Sequence, residues 1–96
     1  AYFDYYQAEN DDEPLAIGGF LPLKKVYGFN PIPEELNDDE TQYVLGAQGN
    51  VWTEYMQTED KVEYMAYPRM LAMSEVVWCG ASENIDAYYS DFLLRL

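Results

Sequence analysis

The sequence predicts an α/β fold in which two parallel strands, each followed by helical or irregular chain, stand side by side as in a barrel. Three observations carry that expectation. Residues 44–51 are mostly apolar or small, with Gly46 and Gly49 interspersed, the pattern of a buried strand covered on both faces and closely approached by its neighbours. Residues 1–6 are β-prone through their aromatic rings and have neither turn nor cap before them, as though a strand is entered partway. Each stretch also carries an aromatic and an acid two residues apart, Tyr2 with Asp4 and Trp52 with Glu54, and residues so spaced on a strand project to the same side. Neighbouring strands of a parallel α/β barrel present such pairs at their carboxyl ends.

The rest of the chain divides by its turn and cap chemistry. Residues 7–19 are acidic and then rich in glycine, with Pro14, the composition of an exposed loop. A short helix is predicted over 21–27, with Pro22 in its first turn and Gly28 ending it. Asn30-Pro31-Ile32-Pro33 excludes regular structure, because each proline restricts the residue before it, and a second helical turn is expected around 34–36. The whole connection 7–43 is long for a crossover and is expected to wall a ligand cleft.

After the second strand, Thr58 is placed to cap a helix whose first turn holds Glu59 and Asp60, where the helix dipole favours negative charge. Val62, Met65 and Ala66 form its apolar stripe, and Pro68 predicts a break near Tyr67. Leu71, Ala72, Glu75, Val76 and Val77 continue at helical spacing to Gly80, a C-cap. Met65, Met70 and Met73 read as packing, and Arg69 with Glu75 as a structural ion pair. Residues 82–96 form an amphipathic helix beginning near Asn84, with Ile85, Tyr88, Tyr89, Phe92, Leu93 and Leu96 toward the barrel exterior.

Charge and composition narrow the chemistry. The 96 residues carry a net charge of -13, from 18 acidic and 5 basic side chains, which argues against nucleic acid and anionic membrane surfaces as partners. The acidic runs at 9–13 and 34–40 read as solvated loops. No histidine is present, so the usual general base, the histidine-activated nucleophiles and the commonest metal ligand are absent, and no cofactor or metal is predicted. Carboxylates and tyrosines are left. Cys79 is alone and reads as a buried small apolar residue. No apolar run approaches the roughly 18 residues that span a bilayer. An indole beside a fixed acceptor suits a sugar, the ring covering the apolar face of a pyranose while the carboxylate accepts from hydroxyls. The alternative, aromatic packing beside solvated acids, stays open at both pairs.

Four motifs in order extend the reading. Tyr2-Phe3-Asp4-Tyr5-Tyr6-Gln7, Lys25-Val26-Tyr27-Gly28-Phe29-Asn30-Pro31-Ile32-Pro33, Leu45-Gly46-Ala47-Gln48-Gly49-Asn50-Val51-Trp52-Thr53-Glu54, and Tyr67-Pro68-Arg69 followed by Ser74-Glu75-Val76-Val77-Trp78 resemble glycoside hydrolase family 20, the β-N-acetylhexosaminidases. The resemblance implies that residues 1–96 are the C-terminal portion of the catalytic domain, an incomplete (β/α)8 TIM barrel. Residues 1–6 would be its seventh strand, 44–52 its eighth and 58–78 the closing helical segment. It further implies that Tyr2 hydrogen-bonds the substrate's acetamido oxygen, that Asp4 binds sugar hydroxyls, that Trp52 floors the terminal sugar and that Glu54 takes its outer hydroxyls. The substrates would be glycans ending in N-acetylhexosamine, hydrolysed from the non-reducing end with the acetamido group as nucleophile. Family resemblance also implies an exported, periplasmic or lysosomal location.

One part of the family pattern is missing. The adjacent Asp-Glu pair that serves as orienter and general acid/base has no counterpart, since Asp12-Glu13 and Asp39-Glu40 lie in loop sequence. The isolated chain is therefore expected to be inactive, and its unpaired strand edges and apolar faces to drive self-association. Three rivals remain: a non-catalytic carbohydrate-binding module resting on Trp52 and Tyr2, an acidic interaction domain without a ligand, and an ordinary glycosidase in which Asp4 and Glu54 are the catalytic pair.

Overall fold

The computed structural model describes residues 1–81 and 83–96. Ser82, where the last helical segment was expected to open, lies outside them. Among the described residues five helices follow one another: α1 (Leu23–Tyr27), α2 (Asp38–Thr41), α3 (Glu59–Ala66), α4 (Arg69–Cys79) and α5 (Ile85–Arg95).

Among the described residues no strand of regular length forms, which corrects the two-strand expectation. Between residues 1–6 and 44–51 one parallel bridge forms, Tyr2 with Asn50. It is made by three successive bonds: the Ala1 amine donates to Gln48 O at 2.7 Å, Asn50 N to Ala1 O at 2.7 Å and Phe3 N to Asn50 O at 2.8 Å. The two segments are thus adjacent and parallel, as a barrel requires, but too short a length is paired to register as a ladder. Nor is 44–51 covered along its length: Gly49 and Val51 pack toward the core, but Leu45 is 96% exposed. A run apolar on both faces needs layers on both sides.

Alternation along the first segment decides the two sides of the molecule. Phe3 turns one way and is 1% exposed, packed with Val26, Tyr27, Ala72, Met73 and Phe92 in a core shared by α1, α4 and α5. Gly49 lies so close to the Phe3 ring that a Cβ there would sit 2.5 Å from a ring carbon, so the neighbouring segment reaches its bonding distance only with glycine at this position. Tyr2 and Asp4 face the other way.

The caps place the helices largely where the sequence puts them. Thr58 Oγ1 accepts from Lys61 N at 3.1 Å, Asn84 Oδ1 from Ala87 N at 3.4 Å, and Gly80 ends α4 at φ 84°. α1 begins at Leu23 with Pro22 as its N-cap, two residues later than predicted. The turn expected at 34–36 is followed by a helix the sequence reading missed. In α2, Asn37 accepts from Glu40 N at 2.9 Å while Glu40 reaches back to Asn37 N at 3.0 Å, a capping box hidden within an acidic run.

Three side chains lie elsewhere than expected. Arg69 and Glu75 form no ion pair: six residues apart on a helix they occupy different faces, and Glu75 instead pairs with Arg95 of α5. Cys79, the last residue of α4, is exposed. Met65 and Met73 pack in the interior, whereas Met70 stands partly open.

Candidate functional site

Tyr2 and Asp4 leave the first segment on the side opposite Phe3, while Trp52 and Glu54 follow the Asn50 bridge on the second. All four line one open cleft of about 670 Å3. Its other wall comes from the connection, through Ile17, Gly18 and Gly19, with Tyr5 between them and Tyr2. Trp52 is 54% and Tyr2 49% exposed, so an indole face and a phenol are presented to solvent rather than consumed in packing. Asp4 is 6% exposed, and its buried Oδ1 has no hydrogen-bond partner among the described residues. An unpartnered carboxylate oxygen in that setting carries a desolvation penalty of about 1–3 kcal/mol or more, which a hydroxyl donor removes. Behind the cleft, Asp4, Trp52 and Glu54 also border a pocket closed by Met56, Lys61 and Met65, with room for about one water.

The segment bearing Tyr2 and Asp4 is held from behind by Arg69, the largest fully buried side chain. Its guanidinium has five N–H donors, and all go to main-chain carbonyls. Nε donates to Met65 O at 3.1 Å, Nη1 to Tyr5 O at 2.9 Å and to Leu21 O at 3.1 Å, and Nη2 to Met65 O at 2.5 Å and to Phe3 O. Phe3 and Tyr5 are the residues on either side of Asp4, so the clamp fixes the backbone that aims this carboxylate. Burial lowers the Arg69 pKa to about 10, with Asp4 pulling the other way, and the group remains a cation at neutral pH. The sequence did carry a signal for this role. The residues three and four beyond Arg69 on α4, Ala72 and Met73, are both apolar, so the arginine opens that helix on its buried face.

The loop that walls the cleft is attached to α3. Lys61 Nζ donates to Leu15 O at 2.6 Å, Tyr64 Oη to Glu13 Oε2 at 2.6 Å, and Gln7 Nε2 to Tyr64 O at 2.5 Å. The Glu13 hydrogen bond raises the Tyr64 pKa, and burial adds to it. The loop returns to the first segment at a second parallel bridge, Tyr6 with Phe20, where Leu21 N donates to Tyr6 O at 2.8 Å. The Gly18-Gly19 doublet that brings it there belongs to the connection expected to wall a cleft, and it lines this one. Among the described residues no group of three or more potential ligands is placed to hold a metal, and no helix is long and apolar enough to cross a membrane.

Comparison with known proteins adds an independent line. Residues 1–81 match the model of the glycosyl hydrolase family 20 catalytic domain. A beta-hexosaminidase of Porphyromonas gingivalis is 46% identical over 95 residues, covering 99% of this chain. Beta-hexosaminidases of Vibrio vulnificus and Vibrio furnissii are 35% and 32% identical over 85% and 76% of it. The chain spans 12% of the length of each of these relatives. A family model that runs from the first residue past the end of α4, together with a relative at 46% identity along nearly every position, shows that the chain belongs to glycosyl hydrolase family 20.

Proposed function

We propose that these residues are the closing section of the catalytic barrel of an exo-β-N-acetylhexosaminidase. Family membership implies the TIM barrel; in this reading residues 1–6 are its seventh strand and 44–52 its eighth. One observation supports it above the others: Tyr2, Asp4, Trp52 and Glu54 line a single cleft at the end of two adjacent parallel segments. Trp52 lies under the apolar face of the terminal N-acetylhexosamine. Glu54 and the buried Asp4 accept hydrogen bonds from its hydroxyls, which confines the enzyme to chain ends. The Tyr2 hydroxyl donates to the acetamido oxygen and holds it under the anomeric carbon. That oxygen attacks, the bond to the leaving oxygen breaks, and a cyclic oxazolinium intermediate forms that water later opens with net retention. The proton for the leaving group comes from an acid outside these residues, so the 96 residues alone are expected neither to catalyse nor to bind N-acetylglucosamine detectably.

The test uses the full-length protein and two 4-nitrophenyl β-glycosides differing only in the 2-acetamido group. A well-placed intramolecular nucleophile has a large effective molarity, so the N-acetylglucosaminide is expected to be cleaved at least about 10³-fold faster than the glucoside. Equal rates would favour Asp4 and Glu54 as an ordinary catalytic pair.

Separated from a barrel, the chain is proposed to self-associate. Leu45, Trp78 and Leu94 are almost wholly exposed, and apolar surface of that kind in a soluble protein seeks a partner. Sedimentation velocity of the isolated chain is expected to show oligomers; a monodisperse monomer across the micromolar range overturns this.

A further inference from the structure

We propose that Tyr5 is a positioning residue: its ring, seated on the bare Cα of Gly19, holds the Tyr2 phenol in its working orientation. The inference rests on the reading of Tyr2 as the group that orients the acetamido oxygen, and it concerns how that phenol is kept in place.

Tyr2 is half exposed, so burial does not fix its ring. Tyr2 and Tyr5 are the ends of a tight turn, closed by a 3.3 Å bond from Tyr5 N to Tyr2 O, which brings both side chains to one side. Their rings stack with centroids 5.4 Å apart and planes 23° from parallel. Stacking constrains the χ angles that decide where the Tyr2 hydroxyl points.

Tyr5 in turn has a fixed seat. Gly19 adopts φ 69°, a left-handed conformation, and a Cβ built there would lie 2.6 Å from the Tyr5 ring. No other residue allows both the backbone conformation and the contact. The bridge between Tyr6 and Phe20 holds Gly19 against Tyr5 through the main chain rather than through a flexible side chain. Gly19, Tyr5 and Tyr2 therefore form a three-layer stack with the cleft on its open side.

The experiment measures kcat and KM of the full-length protein on 4-nitrophenyl N-acetyl-β-glucosaminide, with thermal unfolding as the control for folding. Tyr5→Leu removes the stacked ring and is expected to lower kcat about tenfold with KM within about twofold, whereas Tyr5→Phe keeps the stack and stays within about twofold of the parent in both. Gly19→Ala displaces the Tyr5 ring and is expected to lower kcat to a similar degree. Added to Tyr5→Leu it has less than about twofold further effect, because the two changes act through one contact. If Tyr5→Leu does not fold, Gly19→Ala alone decides: a lowered kcat with Tyr5→Phe normal supports the proposal, and an unchanged kcat overturns it. Tyr5→Leu with normal kcat, in a protein where Tyr2→Phe is impaired, overturns it as well. Normal activity of Tyr2→Phe sinks the underlying reading of Tyr2 instead.

Discussion

Tyr2→Phe in the full-length protein is expected to lower kcat on an N-acetylglucosaminide by about 10²- to 10³-fold while KM changes by less than about threefold. The magnitude is that of letting a positioned nucleophile drift, since a misplacement of about 1 Å costs on the order of 10²-fold. The substitution keeps the ring and its stack on Tyr5, so the lost group is the hydroxyl alone. As the acetamido oxygen attacks, positive charge spreads over the forming oxazolinium ring, and the Tyr2 hydroxyl keeps that oxygen in the attacking position. Its effect belongs to the transition state rather than to ground-state binding, and appears in kcat. A raised KM with unchanged kcat would place Tyr2 among the simple sugar-binding groups and defeat the role proposed for it.

Arg69→Met is expected to leave no stably folded protein. The methionine fills much of the volume but supplies no donor to the carbonyls of Phe3, Tyr5, Leu21 and Met65. Stranded buried acceptors cost about 1–3 kcal/mol each, and four of them approach the ~5–15 kcal/mol by which a domain is stable at all. Arg69→Lys keeps the charge but concentrates its three donors at one nitrogen, which cannot reach carbonyls on three different segments. It is expected to fold with a markedly lowered midpoint. Soluble yield and thermal unfolding of the full-length variants check both. A methionine variant that unfolds at the parental temperature would mean that water replaces the guanidinium and that the clamp is dispensable.

The grouping of four side chains was more legible than the fold. Aromatic-x-acid spacing at Tyr2 and Trp52 is local, and although no strand carries either pair, one cleft collects all four side chains. Helix starts were legible for the same reason, since Thr58 and Asn84 satisfy donors within three residues of themselves. Strand extent was not, because it depends on partners: residues 44–51 have the composition of a doubly covered strand, yet 45–48 lie exposed. Arg69 was misassigned because its donors go to carbonyls up to 66 residues away, and backbone acceptors leave no mark in side-chain spacing. α2 was overlooked because acidic composition was read as solvation before the reciprocal Asn37–Glu40 cap was considered.

The attachment of the cleft wall to α3 has an evolutionary consequence. Lys61 and Tyr64 of α3 hold the connection through Leu15 O and Glu13, and the Tyr64 carbonyl holds Gln7, at points other than Tyr2, Asp4, Trp52 and Glu54. The shape of the cleft wall can therefore change through replacements on α3, with Tyr2, Asp4, Trp52 and Glu54 left as they are.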